Sequence, residues 1–510
     1  MGARTLMVQG TGSSVGKSIL VAALLRIFRG YGLSVAPFKA QNMALNSFVT
    51  PDGGEISRAQ AVQAEAAGIA PSVDMNPVLL KPEAERRAQV VVMGKPVGRL
   101  SAAQYQAYKP HLRKVVADCL ERLVQRYDLV IIEGAGSPSE INLKQGDIVN
   151  MYVAKLANAP VVLVGDIDRG GVFAHLVGTM ALLEPDEQAR VAALLINKFR
   201  GDRALLEPGL EFISRRLERP VLGVVPYIEN LRIAEEDSVA LEERRYPPEA
   251  SAPELEIAVV KLPRLSNYDD LLALERIPSV SVRFLETPRA FLDSDLAIIP
   301  GSKSTIADLE WMRRAGIAQA LAARAAQALP ILGICGGCQM LGQAIEDPAG
   351  VESERRYAEG LGLLPLRTRF APYKRTAQVT ARVSAKCFLT QGMQAQEIIR
   401  GYEIHMGMVE RTDAAPAPFE VLTRNGRPDA DLDGALNAAG VVVGTMLHGI
   451  FDNDAVRAAT LGFLRARKGL PEPIAPPSGS ALSKQLEYDR LAAVVRQHID
   501  WALLHRLVGL

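Results

Sequence analysis

The run Gly10-Thr11-Gly12-Ser13-Ser14-Val15-Gly16-Lys17-Ser18 follows an apolar stretch, Thr5 to Val8, and opens an amphipathic one, Ser18 to Tyr31. A strand that turns through glycines into a helix beginning Gly-Lys-Ser is the context a phosphate loop requires. Glycines let backbone N–H groups turn toward an anion, and the helix N-terminus adds a favourable dipole. In that geometry Lys17 reaches the β- and γ-phosphates and the Ser18 hydroxyl completes a Mg²⁺ shell. The strict spacing would place glycine where this chain has Thr11, with glycines instead at 10 and 12. The loop is therefore a variant type, and the competing reading is a glycine-rich turn with an ordinary lysine. Gly10, Thr11, Gly12, Ser13, Val15, Gly16, Lys17 and Ser18 are the expected ATP-binding residues.

The rest of the first half suits such a loop. Leu129 to Ile132, Pro160 to Gly165 and Val191 to Ile196 are short, nearly continuous apolar runs, as in a parallel sheet covered on both faces. Alternation with amphipathic runs predicts a doubly wound α/β domain. Glu133 ends one strand and is placed to hold Mg²⁺ directly or through water. The competing reading is a strand-end acid capping the next turn. Asn197 ends another strand, where its amide could read a nucleobase edge or serve as a turn residue.

Glu242 to Leu255 mixes charge, Pro, Ala and Ser without periodicity and reads as a linker. A second α/β pattern follows, with strands expected at Ile257 to Val260, Ser281 to Phe284, Leu296 to Ile299, Pro330 to Ile334 and Val441 to Thr445. From about Arg457 the chain becomes helical, and Leu491, Val495, Ile499 and Leu503 give one apolar face. The expected division is 1–241, a linker at 242–255, a second domain at 256–456 and a helical extension at 457–510. The predicted class is α/β, with two doubly wound parallel-sheet domains and a helical C-terminal tail.

Pro330 to Leu341 reads as buried strand, sharp turn and helix, with Cys335 at the turn among glycines. This is the pattern of a nucleophile elbow. A helix N-terminus behind the thiol favours thiolate, and the N–H of Gly336 could face an oxyanion. A second donor is expected from the turn at Gly301. Cys335-x-x-Cys338 could instead be a redox pair, half a zinc site, or two buried thiols, though no second ligand pair completes a zinc site. A nucleophilic Cys needs a base. Among six histidines His448, after a strand of the same domain, is the first candidate, and His405 is the second.

Composition narrows the function classes. Lys+Arg number 58 against 57 Asp+Glu, a net charge of +1, so the chain lacks the basic excess of a polyanion-coating protein and no nucleic-acid partner is expected. Four cysteines in 510 residues form no disulfide framework and suit a reducing cytoplasm. The N-terminus shows no secretion pattern and no run is long enough to span a membrane, so no membrane association is expected.

Pro330 to Leu341 resembles the nucleophile segment of class I, triad-type glutamine amidotransferases, and the phosphate loop with Asn197-Lys198 resembles dethiobiotin-synthetase-like ATPases. Fused in this order, the two resemble the cobyrinate amidase group. Pro37 to Ser47, Asn197 to Asp202, Gly401 to Gly407, Leu447 to Phe451 and Tyr488 to Leu491 extend the likeness through nearly the whole chain. The resemblance implies a P-loop, ATP- and Mg²⁺-dependent amide synthetase domain followed by a glutaminase domain. Cys335 would form a thioester with glutamine, with His448 shuttling the proton, and ammonia would displace phosphate from an activated carboxylate. Pro37 to Ser47 favours the member of the group that amidates the b, d, e and g carboxylates of adenosylcobyrinic acid a,c-diamide, in cobalamin biosynthesis. It argues against the relative that makes the a,c-diamide.

Class I enzymes usually carry Glu two residues after the catalytic His. Here that position is Ile450; the cobyrinate amidase group typically lacks that Glu, and this leaves Glu403, Asp452 or a backbone carbonyl to orient His448. A polyanionic substrate predicts a basic mouth, with Lys39, Arg58 and Lys81 as candidates; each could equally be a solvated surface charge. Asp52, Glu55 and Glu65 are possible second acids for the metal. Competing readings are an amidoligase acting on another carboxylate, and a switch ATPase, which leaves Cys335 and His448 without purpose.

Overall fold

The computed structural model describes residues 4–83, 87–234, 253–471 and 480–510. The chain forms two compact units: Met1–Ala44 with Glu55–Ile233 and Lys484–Leu510, and Leu45–Gly54 with Ala234–Ser483.

The first unit is built on β1 (Arg4–Gly10), β2 (Val35–Phe38), β3 (Leu129–Glu133), β4 (Val161–Asp166), β5 (Val191–Phe199) and β6 (Val221–Pro226). The sheet order is β6-β5-β4-β1-β3-β2, parallel throughout. These strands are apolar on both faces because helices cover both. Helix α1 (Lys17–Gly30) follows β1 and buries Leu20, Val21, Leu24, Leu25 and Phe28, an i, i+3/i+4 stripe. Helix α2 (Arg58–Ala67) is capped by the Ser57 side chain, which accepts from Ala59 N–H. β2 and β6 had not been expected from the sequence: β2 is four residues long and contains Pro37, a residue that reads against a strand.

The second unit holds β7 (Leu255–Val260), β8 (Val280–Leu285), β9 (Leu296–Ile299), β10 (Ile331–Ile334), β11 (Leu366–Val383), β12 (Ile398–Arg411), β13 (Ala435–Leu436) and β14 (Val442–Thr445). Six of them form a sheet in the order β8-β7-β9-β10-β14-β13, parallel except for the last pair. β11 and β12 pair antiparallel in a separate sheet, an element absent from the sequence expectation. β11 alternates buried and exposed residues over half its length, as a strand solvated on one face does.

Three expectations differ from this architecture. Residues 1–241 do not pack as one block, since Leu45–Gly54 belongs to the second unit. Most of the expected linker, Glu242 to Ala252, lies outside the described residues. The helical extension divides: the helix Asp454–Arg467 packs in the second unit, whereas Lys484–Leu510 packs in the first. The apolar face from Leu491 to Leu503 is not one helix either. Ser480–Gln497 ends, and Trp501–Val508 restarts with the Asp500 side chain capping Leu503 N–H. The restart shifts the register, so Leu504 is buried and Leu503 only half-buried. The tail closes the first unit through Tyr488-Asp489-Arg490-Leu491. Tyr488 donates to Glu65 at 2.8 Å, Asp489 pairs with Arg26 at 2.7 Å, and Leu491 is fully buried.

Candidate active site

In the first unit, β1 ends at Gly10 and the loop wraps back to α1. Gly16 caps the helix with φ 95°, a backbone region that favours glycine, and a Cβ there would lie 2.2 Å from Asn197 Nδ2. Lys17 is buried, and its Nζ donates to the carbonyls of Gly12 at 2.8 Å and Gly136 at 3.1 Å. The ammonium is thus held over the loop by two backbone oxygens.

Glu133, at the end of β3, is the centre of a buried polar cluster. Its Oε1 accepts from Ser18 Oγ at 2.7 Å and from Lys39 Nζ at 2.8 Å; its Oε2 accepts from Gln63 Nε2 at 2.6 Å and from Gln60 Nε2 at 3.3 Å. A hydroxyl and a carboxylate in contact beside a phosphate-loop lysine are hard oxygen donors, so the residues fit Mg²⁺ shared with bound phosphates. Among the described residues no group of three or more His, Cys, Asp or Glu could hold a metal ion.

Several expected residues take other places. Asn197 donates its amide to Val15 carbonyl at 2.9 Å, bracing the loop rather than offering that N–H to a base. Lys39 and Lys81 are no basic mouth: both are buried, Lys39 on Glu133 and Lys81 on Glu55 at 2.9 Å. Burial is tolerated because each charge has a close partner. Arg58 is likewise buried, at the first position of α2. Of the possible second acids, Glu55 is taken by Lys81 and Glu65 by Tyr488, and Asp52 belongs to the second unit, where it accepts from Thr50.

In the second unit, β10 runs into helix α3 (Gly336–Leu341) through Cys335, whose φ 52° and ψ −109° are sparsely populated for a side-chain-bearing residue. Such a conformation costs on the order of 1–3 kcal/mol, offset here by the surrounding contacts. The Cys335 N–H donates to Thr445 carbonyl at 2.8 Å. A Cβ at Gly337 would sit 2.0 Å from the Ile299 carbonyl oxygen, so only glycine lets β9 and α3 approach this closely.

His448 follows β14 and is buried. Its Nδ1–H donates to Asp270 Oδ2 at 2.7 Å, while Asp270 Oδ1 accepts from Gly449 N–H at 2.8 Å. Cys335 lies close enough for its charge to act on the imidazole, while its thiol donates to the Ile404 carbonyl at 3.8 Å. Burial disfavours its protonation, but the charges of Asp270 and Cys335 outweigh this and hold the pKa well above the usual histidine value. The Tyr402 ring stacks on the imidazole at 5.2 Å, and the two backbones exchange hydrogen bonds of 3.1 and 2.9 Å.

Asp270 is the residue sequence reasoning missed; the orienter is neither of the acids expected. Glu403 is held by Arg424 at 2.7 and 2.8 Å, and Asp452 closes the turn Ile450–Asp452. His405 bonds the Gly407 carbonyl at 3.1 Å, and burial lowers its pKa to about 4. Cys338 lies inside α3, its thiol pKa raised well above the ordinary value by burial; both cysteines are free. Gly301 and Gly336 flank the centre. A Cβ at Gly301 would lie 3.3 Å from His448 Cε1, and one at Gly336 would lie 2.8 Å from Ser302 N. As the first helical residue, Gly336 has no acceptor for its N–H within its own helix.

A thiol beside an imidazole that is itself hydrogen-bonded to a carboxylate can act with them as nucleophile, base and orienter. The phosphate loop of the other unit can bind a nucleotide.

Residues 6–240 match the CobQ/CobB/MinD/ParA nucleotide binding domain, and residues 256–456 match the CobB/CobQ-like glutamine amidotransferase domain. Over 520 residues the chain is 60% identical to a cobyric acid synthase of Sorangium cellulosum, covering 100% of this chain and 99% of the relative. It is 50% identical over 507 residues to a cobyric acid synthase of Dehalococcoides mccartyi strain CBDB1, covering 99% of each. It is 48% identical over 514 residues to one of Desulforamulus reducens, covering 100% of this chain and 98% of that one.

Proposed function

From the premise that the chain belongs to the cobyric acid synthase family, we propose that it uses glutamine and ATP to amidate the b, d, e and g carboxylates of adenosylcobyrinic acid a,c-diamide, giving adenosylcobyric acid. The chain is an amidoligase of cobalamin biosynthesis. The observation that supports the mechanism most is the buried His448–Asp270 hydrogen bond, 2.7 Å, beside Cys335 at a strained strand-to-helix turn.

In this reading His448 takes the Cys335 proton, and the thiolate attacks the side-chain amide of glutamine. The imidazolium, stabilised by Asp270, returns the proton to the leaving ammonia, and water then releases glutamate from the thioester. Gly336 N–H, with a donor from the Gly301 turn, faces the oxyanion.

In the first unit the loop Gly10 to Ser18 holds ATP, with Lys17 on the β- and γ-phosphates. Ser18 and Glu133 hold Mg²⁺, which when bound neutralises charge on the phosphate oxygens. A carboxylate is a poor electrophile at neutral pH. Transfer of the γ-phosphoryl group to it makes an acyl phosphate, and ammonia then displaces phosphate to leave the amide. Ammonia is mostly protonated at neutral pH, so local release from glutamine supplies the reactive neutral form.

The cytoplasm is the expected location: all four cysteines are free, and no described helix is long and apolar enough to cross a membrane.

The test is mass spectrometry of adenosylcobyrinic acid a,c-diamide after incubation with the protein, ATP–Mg²⁺ and glutamine. Four successive replacements of OH by NH₂ are expected. An unchanged corrinoid alongside active glutaminase would discard this substrate.

Asp270→Asn should lower glutamine hydrolysis by about 10²- to 10⁴-fold, because the imidazolium loses its counter-charge and the ring its orientation. Synthesis from ammonia should be unaffected. Wild-type glutaminase turnover in this variant would remove Asp270 from the role.

A further inference from the structure

The ten residues Leu45–Gly54 lie within the stretch matched by the nucleotide-binding domain, yet they pack in the second unit. Four of them, Asn46, Ser47, Val49 and Thr50, are nearly inaccessible, whereas Pro51 and Asp52 are exposed. Their partners are the groups around His448.

Asn267 is hydrogen-bonded to both Asn46 and Ser47. Asn267 N–H donates to Asn46 Oδ1 at 2.8 Å, and Ser47 N–H donates to Asn267 Oδ1 at 3.0 Å. Asn267 has φ 53° and begins the short turn Tyr268–Leu271, in which Asp270 N–H returns to Asn267 carbonyl at 3.2 Å. That turn carries the carboxylate that meets His448. On the same centre, the Phe48 ring packs on Tyr402 at 5.3 Å, and Tyr402 in turn stacks on His448. Gln378 Nε2 donates to the Val49 carbonyl, and Thr376 Oγ1 donates to the Gly53 carbonyl at 2.8 Å, fixing both arms of the segment.

We propose that Asn46 is a positioning residue of the glutaminase centre, acting through Asn267 on the turn that holds Asp270 against His448. The inference rests on the reading of Cys335, His448 and Asp270 as that centre. Its physical basis is direct. A left-handed asparagine is a low-cost start for a turn, so hydrogen bonds to its neighbours decide how firmly the turn is held. Here the Asn46 oxygen is the acceptor for the Asn267 N–H. Removing it leaves a buried donor unsatisfied and frees the turn to relax, and that turn carries Asp270, which is hydrogen-bonded to His448. The nucleotide-binding half of the sequence therefore supplies a support on which glutamine hydrolysis depends.

The test compares wild type, Cys335→Ser, Asn46→Ala and Asn46→Asp in the full chain, measuring kcat and KM for glutamine hydrolysis and the rate of ATP-driven synthesis from ammonia. Asn46→Ala should lose about ten- to a hundredfold in glutaminase kcat, with KM for glutamine and the ammonia-dependent rate unchanged. Asn46→Asp keeps an oxygen to accept the Asn267 N–H and should recover most of the loss. Asn46→Ser, whose shorter side chain withdraws the oxygen from the Asn267 N–H while staying polar, should show the same split should Asn46→Ala fail to fold.

Three results would overturn the proposal: wild-type glutaminase kcat in Asn46→Ala, equal loss of the glutamine- and ammonia-dependent rates, or no recovery in Asn46→Asp. Full glutaminase activity in Cys335→Ser would instead sink the underlying reading of the centre, whatever Asn46 does.

Discussion

Cys335→Ser abolishes glutamine-dependent amide formation and leaves ammonia-dependent formation at the wild-type rate: this is the expected result with the largest contrast. The substitution exchanges sulfur for a smaller oxygen. It leaves the backbone contact from Cys335 N–H to Thr445 carbonyl in place, so the elbow has no new reason to unfold. What is lost is the nucleophile. A serine hydroxyl deprotonates far less readily than a thiol, so His448, held by Asp270, has no thiolate to generate. Loss of a nucleophile in a triad costs about 10⁴-fold or more in kcat. The phosphate loop belongs to the other unit and keeps its chemistry, so ammonia added to the medium still reaches product. The assay is product amide per enzyme with each nitrogen source, alongside glutamate release. Continued glutamate release would take the nucleophile role away from Cys335.

Lys17→Ala should produce the complementary result, with synthesis lost from glutamine and from ammonia alike. Lys17 Nζ sits between two loop carbonyls, Gly12 and Gly136, and is nearly buried. A fixed cation there stabilises the charge that develops as the γ-phosphoryl group transfers. Comparable cationic groups in phosphoryl transfer contribute about 10³- to 10⁵-fold. Glutamate release should persist, since Cys335, His448 and Asp270 all lie in the other unit. Measuring phosphate release together with glutamate release separates the two half-reactions. Wild-type ATP turnover in the variant would show that the loop has been misread. A thermal melt controls for the loss of the two carbonyl contacts.

Much of this was legible in the sequence because it is local. A phosphate loop needs glycines, a lysine and a hydroxyl within nine consecutive residues, and strands buried on both faces announce themselves as unbroken apolar runs. The elbow around Cys335 is equally local: only small residues permit the turn, and Gly337 meets the Ile299 carbonyl where any side chain would clash. Glu133 and His448 could be picked out because each ends an apolar strand in a topology that gathers strand ends at one rim.

What failed to read were choices of partner. Lys39 and Lys81 looked like surface charges suited to an anionic substrate, because one-dimensional composition cannot show that Glu133 and Glu55 fold onto them. Asp270 stands 178 residues from His448, in a Tyr-Asp-Asp turn with no spacing signal, and only the fold brings it to 2.7 Å. The tail periodicity continued across Asp500, yet that side chain starts a new helix and resets which leucine is buried.

The sequence by itself determined the local elements: a glycine-rich loop into a Gly-Lys-Ser helix start, a cysteine at a strand-to-helix turn, a histidine just after a strand and two α/β halves in that order. These depend on residue types at short, fixed separations. Only the tertiary structure decided which carboxylate orients His448, which cations are neutralised in the interior, and that Leu45–Gly54 is packed among the supports of the second unit. Those outcomes depend on distances between residues far apart in the chain. Such distances are set by packing and charge pairing rather than by any local pattern.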